Sequence, residues 1–348
     1  MLYSPHQITR KIAPENQEFP IFSISNWITP EHLFFNRNHF MYPVIDMRSW
    51  YLSVEGCVNW PNQFTYQNLI RMPQITLPVT LECAGDKRAL FHPKTRGEQW
   101  ELGAISHAVW TGVPLKNVLE YCGIQQNAVE VVFEAVDYGE RTDMPGIFSY
   151  SRSLPLREAM PLNTIIALYM NGKPLPYQHG FPARLIVPGW YGMASVKWLH
   201  RIHVTDRPFA GPFQAVDYVF YKDESVTDGQ PLNVIKVNST IARPSDQEIL
   251  TRGEHWIAGV AWSGVYPVVQ VHISTDGGET WNLASWLDLA VPSSWRRWSW
   301  KWNARHAGTY DLMVKATDAA GNTQRVEPDW NKKGYANNAV HKIRVYVD

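Results

Sequence analysis

Between Arg207 and Gly229 the sequence loses its periodic apolar residues, and the two sides of that gap are built from different material. Beyond it, runs of alternating or continuous apolar residues are separated by turn clusters such as Asp276-Gly277-Gly278. They predict strands at Val234 to Val237, His255 to Trp262, Val268 to Ser274, Trp295 to Trp302, Thr309 to Thr317 and Ala339 to Val347. That spacing is a β-sandwich pattern of immunoglobulin-like size. Before the gap, strands and short helices are mixed. The chain has 348 residues, more than one core usually serves, so two domains are expected, 1–225 and 226–348.

In the first domain, residues 1–28 carry Pro5, Pro14 and Pro20 and predict an extended arm lying over a domain surface. Thr29-Pro30-Glu31 predicts a helix start with Thr29 as cap. Strands are expected at Trp50 to Gly56, Ile75 to Leu81, Val129 to Val136 and Thr164 to Met170, with Asn171-Gly172 as a hairpin turn. Short helices are expected at Phe64 to Arg71 and Pro155 to Ala159. A third, opened by Pro114 and stopped by Gly123, places Leu115, Val118, Leu119 and Cys122 on one side.

Lysine plus arginine and aspartate plus glutamate each total 32, so no overall field favours nucleic acid or an anionic membrane, and any anion site has to be built locally. Three scattered cysteines make neither a disulfide framework nor a structural zinc site, which suits a reducing compartment. The first residues lack an apolar signal core, and nowhere do eighteen uncharged apolar residues run together. These features predict a cytoplasmic protein without a membrane span, reaching an envelope only through a leader absent from this sequence. Tryptophan is abundant at 16, with six between Trp281 and Trp302; a sandwich core built with large rings is expected, and an aromatic binding face is the alternative.

Chemistry concentrates at LECAGDKR, Leu81 to Arg88. Cys83 ends a predicted strand where Ala84-Gly85 turns the chain, and a thiol there is open to three readings: metal ligand, nucleophile or small buried hydrophobe. Phe35-Asn36-Arg37-Asn38-His39 is a dense cluster of hydrogen-bonding groups, either a solvated loop or a binding segment. Further on come GEQWELGAISHAVWTG from Gly97, Asp137 at a strand end, NGKPLPYQHGFPARLIVPGWYGMASVKWLHR from Asn171 to Arg201, Asp217-Tyr218, STDGGETW from Ser274, and WNKKGYANNAVHKIRVYV from Trp330.

In motif, order and spacing these segments resemble the sulfite oxidase family of molybdopterin-dependent oxidoreductases, over about residues 20–348. The resemblance implies an α+β fold, a mixed α/β molybdopterin-binding domain followed by an Ig-like β-sandwich dimerisation domain. It implies a molybdenum cofactor, with no haem in this chain. Cys83 becomes the metal ligand, its thiol held ionised by nearby cations. Phe35, Asn36, Arg37, Asn38, His39, Asp137, His179, Arg184, Ser195, Val196 and Lys197 become cofactor contacts; the cations among them suit a phosphate. Arg37, Arg88, Trp100, Tyr218 and Lys333 become the substrate pocket. The implied activity is oxidation of sulfite to sulfate by oxo transfer, with electrons passed to a separate acceptor such as a cytochrome, in a homodimer. The alternative is reduction of nitrate or an S- or N-oxide on the same cofactor. Two departures bear on the substrate: Asp86-Lys87 stand where the family commonly has asparagine and a variable residue, and Lys333 takes the arginine position of W-N-x-R-G.

Overall fold

The computed structural model describes residues 6–161, 163–223, 225 and 229–348. The expected domain boundary between 225 and 226, like the first five residues of the arm, borders or falls on residues outside that set. Two sheets make the first domain. In one, Ile75–Glu82 pairs with Ile105–Pro114, which pairs with Ile165–Met170, and that strand also takes Lys173–Pro174 and Arg184–Ile186. In the other the order is Asn62–Thr65, Tyr51–Gly56, Leu199–Thr205, Glu130–Glu140, Ile147–Pro155, antiparallel except where Leu199–Thr205 lies parallel to Tyr51–Gly56. The helix Leu115–Cys122 buries the four residues that its period predicts, and Gly123 ends it at φ 68°. Each buried Leu or Val contributes about 1.5–3 kcal/mol.

The second domain is a sandwich. One sheet runs Asn238–Arg243, Gly253–Trp262, Arg296–Ala304, Ser285–Trp286; the other runs Ile249–Leu250, His341–Val347, Gly308–Asp318, Val268–Ser274, Asn282–Leu283. Strand alternation explains how the first of these sheets serves two cores. Ile257 and Ala261 point into the sandwich with Trp298 and Trp302. Val260 and Trp262, one residue out of phase, join Trp295 in the core of the first domain. Of the six rings in the tryptophan run, Trp295, Trp298 and Trp302 are buried in cores and Trp286 and Trp300 pack against the sandwich core, while Trp281 is half-buried and joins neither.

Four local expectations are corrected. No α-helix starts at Thr29: only the 3₁₀ turn Glu31–Leu33 forms, and the Thr29 hydroxyl instead accepts the His107 backbone N–H at 3.1 Å. The strand at 129–136 continues to Glu140, its register broken between Glu134 and Tyr138 by a bulge that contains Asp137. Residues 234–237 make one isolated bridge, Trp190 to Val234, and the strand begins at Asn238. The described part of the arm is built into the domain. It folds as the hairpin Ile8–Lys11 and Asn16–Glu18, and the buried Glu18 carboxylate accepts the N–H groups of Glu101 and Gly103.

Candidate functional site

A cleft opens where the loops of the two first-domain sheets meet. Its wall includes Cys83, delivered by the strand Ile75–Glu82 at the point where the chain turns. The Phe35 to His39 segment lies along the cleft, and Asp137, His179, Arg184, Ser195, Lys197 and Tyr218 complete the polar lining. Arg37 and Tyr218, 181 positions apart in sequence, therefore share one cavity.

The cations are held by neutral oxygens, not by carboxylates. Arg184 donates to the carbonyls of His179 at 2.9 Å and Ser195 at 3.0 Å, and packs over the Trp110 ring. Lys197 Nζ donates to Asn36 Oδ1 and to the Gln178 carbonyl, each at 3.0 Å, and to Asn38 Oδ1. Burial draws Arg184 down to about 9 and Lys197 well below its ordinary value, with Arg184 itself adding to the effect on Lys197. Uncompensated positive charge in a dry cleft is what an anionic ligand relieves. Burial holds His179 neutral, down to about 3, its Nε2 3.1 Å from the Glu31 carbonyl oxygen. Asp137 is pushed up to about 6 by burial, with Lys197 opposing.

Tyr218 and His39 form a neutral pair, hydroxyl to Nε2 at 2.8 Å. Burial raises the phenol well above 10 and, aided by Arg37, lowers the imidazole well below 6.5. Tyr150 stacks on His39 with centroids 4.7 Å apart, and Phe213 meets the same ring edge-on at 4.9 Å.

Several expected site residues stand elsewhere. Val196 is buried behind the lining, where its carbonyl accepts the Leu185 N–H. Arg88 turns from the cleft: Nε donates to the carbonyls of Lys333 and Gly334, one terminal nitrogen to Glu98, and the guanidinium lies 5.0 Å over Tyr335. Trp100 is fully buried, packed in one apolar cluster with Phe34, Phe35 and Cys83. The Lys333 ammonium lies 3.7 Å from Asp217 Oδ1. Cys83 also departs from expectation. Arg37 and Arg88 favour its thiolate, yet burial outweighs them and the thiol is raised above its ordinary value. Sequence reading missed Tyr150, Arg152 and Arg141. No motif marks them; of the three only Tyr150 lines the cleft, while Arg152 lies over the Tyr218 ring and Arg141 over the Phe213 ring behind it.

Comparison with known proteins fits this geometry. Residues 39–213 match the family model of the oxidoreductase molybdopterin binding domain, and 230–348 match the Mo-co oxidoreductase dimerisation domain. The class is therefore a molybdopterin-binding oxidoreductase with its own dimerisation domain. The mitochondrial sulfite oxidase of Homo sapiens is 35% identical over 350 residues, covering 94% of this chain and 63% of that protein. The NADH nitrate reductase of Solanum lycopersicum is 33% identical over 377 residues, covering 96% and 40%. This chain thus spans under two thirds of the relatives it matches. The sulfane dehydrogenase SoxCD of Paracoccus pantotrophus superposes with a TM-score of 0.85 at 25% identity, over 98% of this chain and 86% of that one. The chain belongs to the sulfite oxidase family, and its cofactor is molybdopterin.

The residues present fit that group. A buried thiol stands at the cleft wall for a soft metal. Among the described residues Arg184 Nε, in the lining, is buried without a hydrogen-bond partner, and so is Nε1 of Trp100, whose ring shares an apolar cluster with Phe34, Phe35 and Cys83. Buried donors of this kind await an acceptor.

Proposed function

We propose that the protein oxidises sulfite to sulfate and passes two electrons to a separate acceptor. Cys83 would hold the molybdenum, and Arg184, Lys197, Ser195 and the Asn36–His39 segment the pterin and its phosphate. When bound, the cofactor supplies two-electron oxygen-atom transfer. The protein's own residues bind and orient the oxyanion. The observation that carries this reading is Arg37, half-buried on the same cleft as Cys83 and Tyr218. Its charge is permanent, and the guanidinium fork suits oxyanion oxygens. The neutral Tyr218–His39 pair adds a hydroxyl without adding an anion that would repel substrate. Burial by Tyr150 and Phe213 keeps water from that pair.

Nitrate reduction is the second reading. It is favoured by the similar identity to nitrate reductases. Steady-state oxidation of sulfite with an artificial acceptor, run beside nitrate reduction with a reduced dye, separates the two. Turnover of sulfite alone supports the first reading, and turnover of nitrate alone sinks it. We also infer a homodimer through the second domain. Sedimentation equilibrium at micromolar protein should give twice the chain mass.

A further inference from the structure

The hairpin of the arm touches the cofactor segment through its turn, which carries Glu15. This residue is half-buried, precedes the residues 39–213 that match the molybdopterin-binding model, and does not line the cleft itself. Asn36, which does, donates from Nδ2 to the Glu15 carboxylate at 3.3 Å and to the Tyr42 hydroxyl at 2.5 Å, and that hydroxyl donates in turn to the same carboxylate. The other end of the Asn36 amide, Oδ1, accepts Lys197 Nζ. Asn38 is set the same way, but by backbone: its Nδ2 donates to the Glu15 carbonyl at 2.7 Å, and its Oδ1 accepts Lys197.

A carboxylate only accepts and an ammonium only donates, so an amide between the two has one satisfied orientation. Asn36 is 2% exposed. Turned the other way, it would set its NH2 against the Lys197 ammonium in a buried site, and both donors would go unpaired. Without the Glu15 carboxylate, the Tyr42 hydroxyl loses its acceptor and can donate to Asn36 Oδ1, which selects that turned amide. We propose that Glu15 is a positioning residue for the cofactor: through Tyr42 and Asn36 it keeps the amide oxygen on Lys197 and so holds that ammonium at the cleft wall. The inference rests on the reading above that Lys197 is among the residues that hold the pterin and its phosphate.

Pterin retention by the cofactor-loaded protein, followed as fluorescence of pterin released on dialysis, tests this with Glu15→Ala, Glu15→Gln, the double variant Glu15→Ala/Tyr42→Phe, and Lys197→Met as the reference. Glu15→Ala should release pterin about tenfold faster than wild type, the scale of one charge-assisted hydrogen bond. Glu15→Gln keeps an acceptor for Tyr42 and Asn36 and should stay within about twofold of wild type. The double variant has no hydroxyl to draw the amide round, so it should release more slowly than Glu15→Ala alone. Wild-type retention in Glu15→Ala beside fast release from Lys197→Met overturns the proposal. So does a double variant as fast as Glu15→Ala, since the loss would then come from damage to the arm. A Glu15→Gln variant as fast as Glu15→Ala overturns it too, by making the effect one of charge alone. Wild-type retention in Lys197→Met would instead overturn the reading that Lys197 holds the pterin.

Discussion

Residues 82–88 have two sides. On the cleft side, Cys83 and Ala84 border open space, near the cations Arg37, Arg184 and Lys197, which among the described residues have no carboxylate in hydrogen bond with them. On the sandwich side, charge is densely bonded. Lys87 Nζ donates to Asn238 Oδ1 at 2.6 Å and to the Ser239 carbonyl at 2.9 Å, and lies over Trp262. Trp262 Nε1 donates to Glu82 at 2.9 Å, the Asn337 amide to the Lys87 carbonyl at 3.0 Å, and the Ala336 N–H to the Ala84 carbonyl at 2.8 Å. The comparison separates two uses of buried charge. In the cleft Arg184 and Arg37 add like charge around Lys197, which an anion can relieve; in the seam Lys87 stands beside the carboxylates of Asp86 and Glu82, and its bonds to Asn238 and Ser239 let the second domain fix the loop carrying Cys83.

If that division holds, substitutions on the two sides should fail differently. The largest effect is on the cleft side: Cys83→Ser should drop turnover to background while the unfolding midpoint stays near that of wild type, whereas Cys122→Ser, in the core, keeps activity. Lys87→Met should do the reverse, costing on the order of 3 kcal/mol in stability by leaving its buried partners without their cation, with the KM for sulfite unmoved. Denaturant titration beside steady-state kinetics checks both. A shift in KM without loss of stability would place Lys87 in the cleft function and break the comparison.

Arg184→Leu sharpens it. Removing a buried cation whose guanidinium is already drawn down to about 9 should leave the cofactor-free protein as stable as before. Loss of one charged hydrogen bond, about 1.5–3 kcal/mol, should lower pterin retention tenfold or more on dialysis. A last expected effect is one of pH. His341 lies in the seam, accepting the Ile241 N–H on Nδ1, and burial with the Lys87 charge brings it down to about 3. The unfolded chain takes up a proton there near 6.5 and the folded chain does not, so this residue's share of stability falls as pH drops from about 6.5 toward 3, by up to about 1.4 kcal/mol per pH unit. His341→Asn should remove that slope. Equal slopes in variant and wild type would mean that the folded imidazole protonates freely.

How much of this was legible follows from where each signal resides. Cys83, His179, Arg184 and Lys197 could be read because a strand-end turn and one continuous loop run fix them, and the structure gathers all four around one cleft. The side on which neighbouring charges fall could not. Lys87 adopts a left-handed backbone, φ 61°, and Lys87 and Arg88 bond to second-domain residues while Asp86 accepts the Ala104 N–H of the first domain. Nothing in the letters DKR announces that. Asp137 looked like a strand end because a bulge interrupts the alternation, although the strand runs on. Arg141 carries no motif at all; its partner lies 76 residues away and is found only when the hairpin and the 213–217 turn are packed together.

The central claim is that the Cys83 thiolate is bonded to the metal. Molybdenum X-ray absorption on the purified wild type and Cys83→Ser tests it most directly. One sulfur neighbour fewer around molybdenum in the serine variant, with pterin retained, is the predicted result; an unchanged sulfur shell would contradict it.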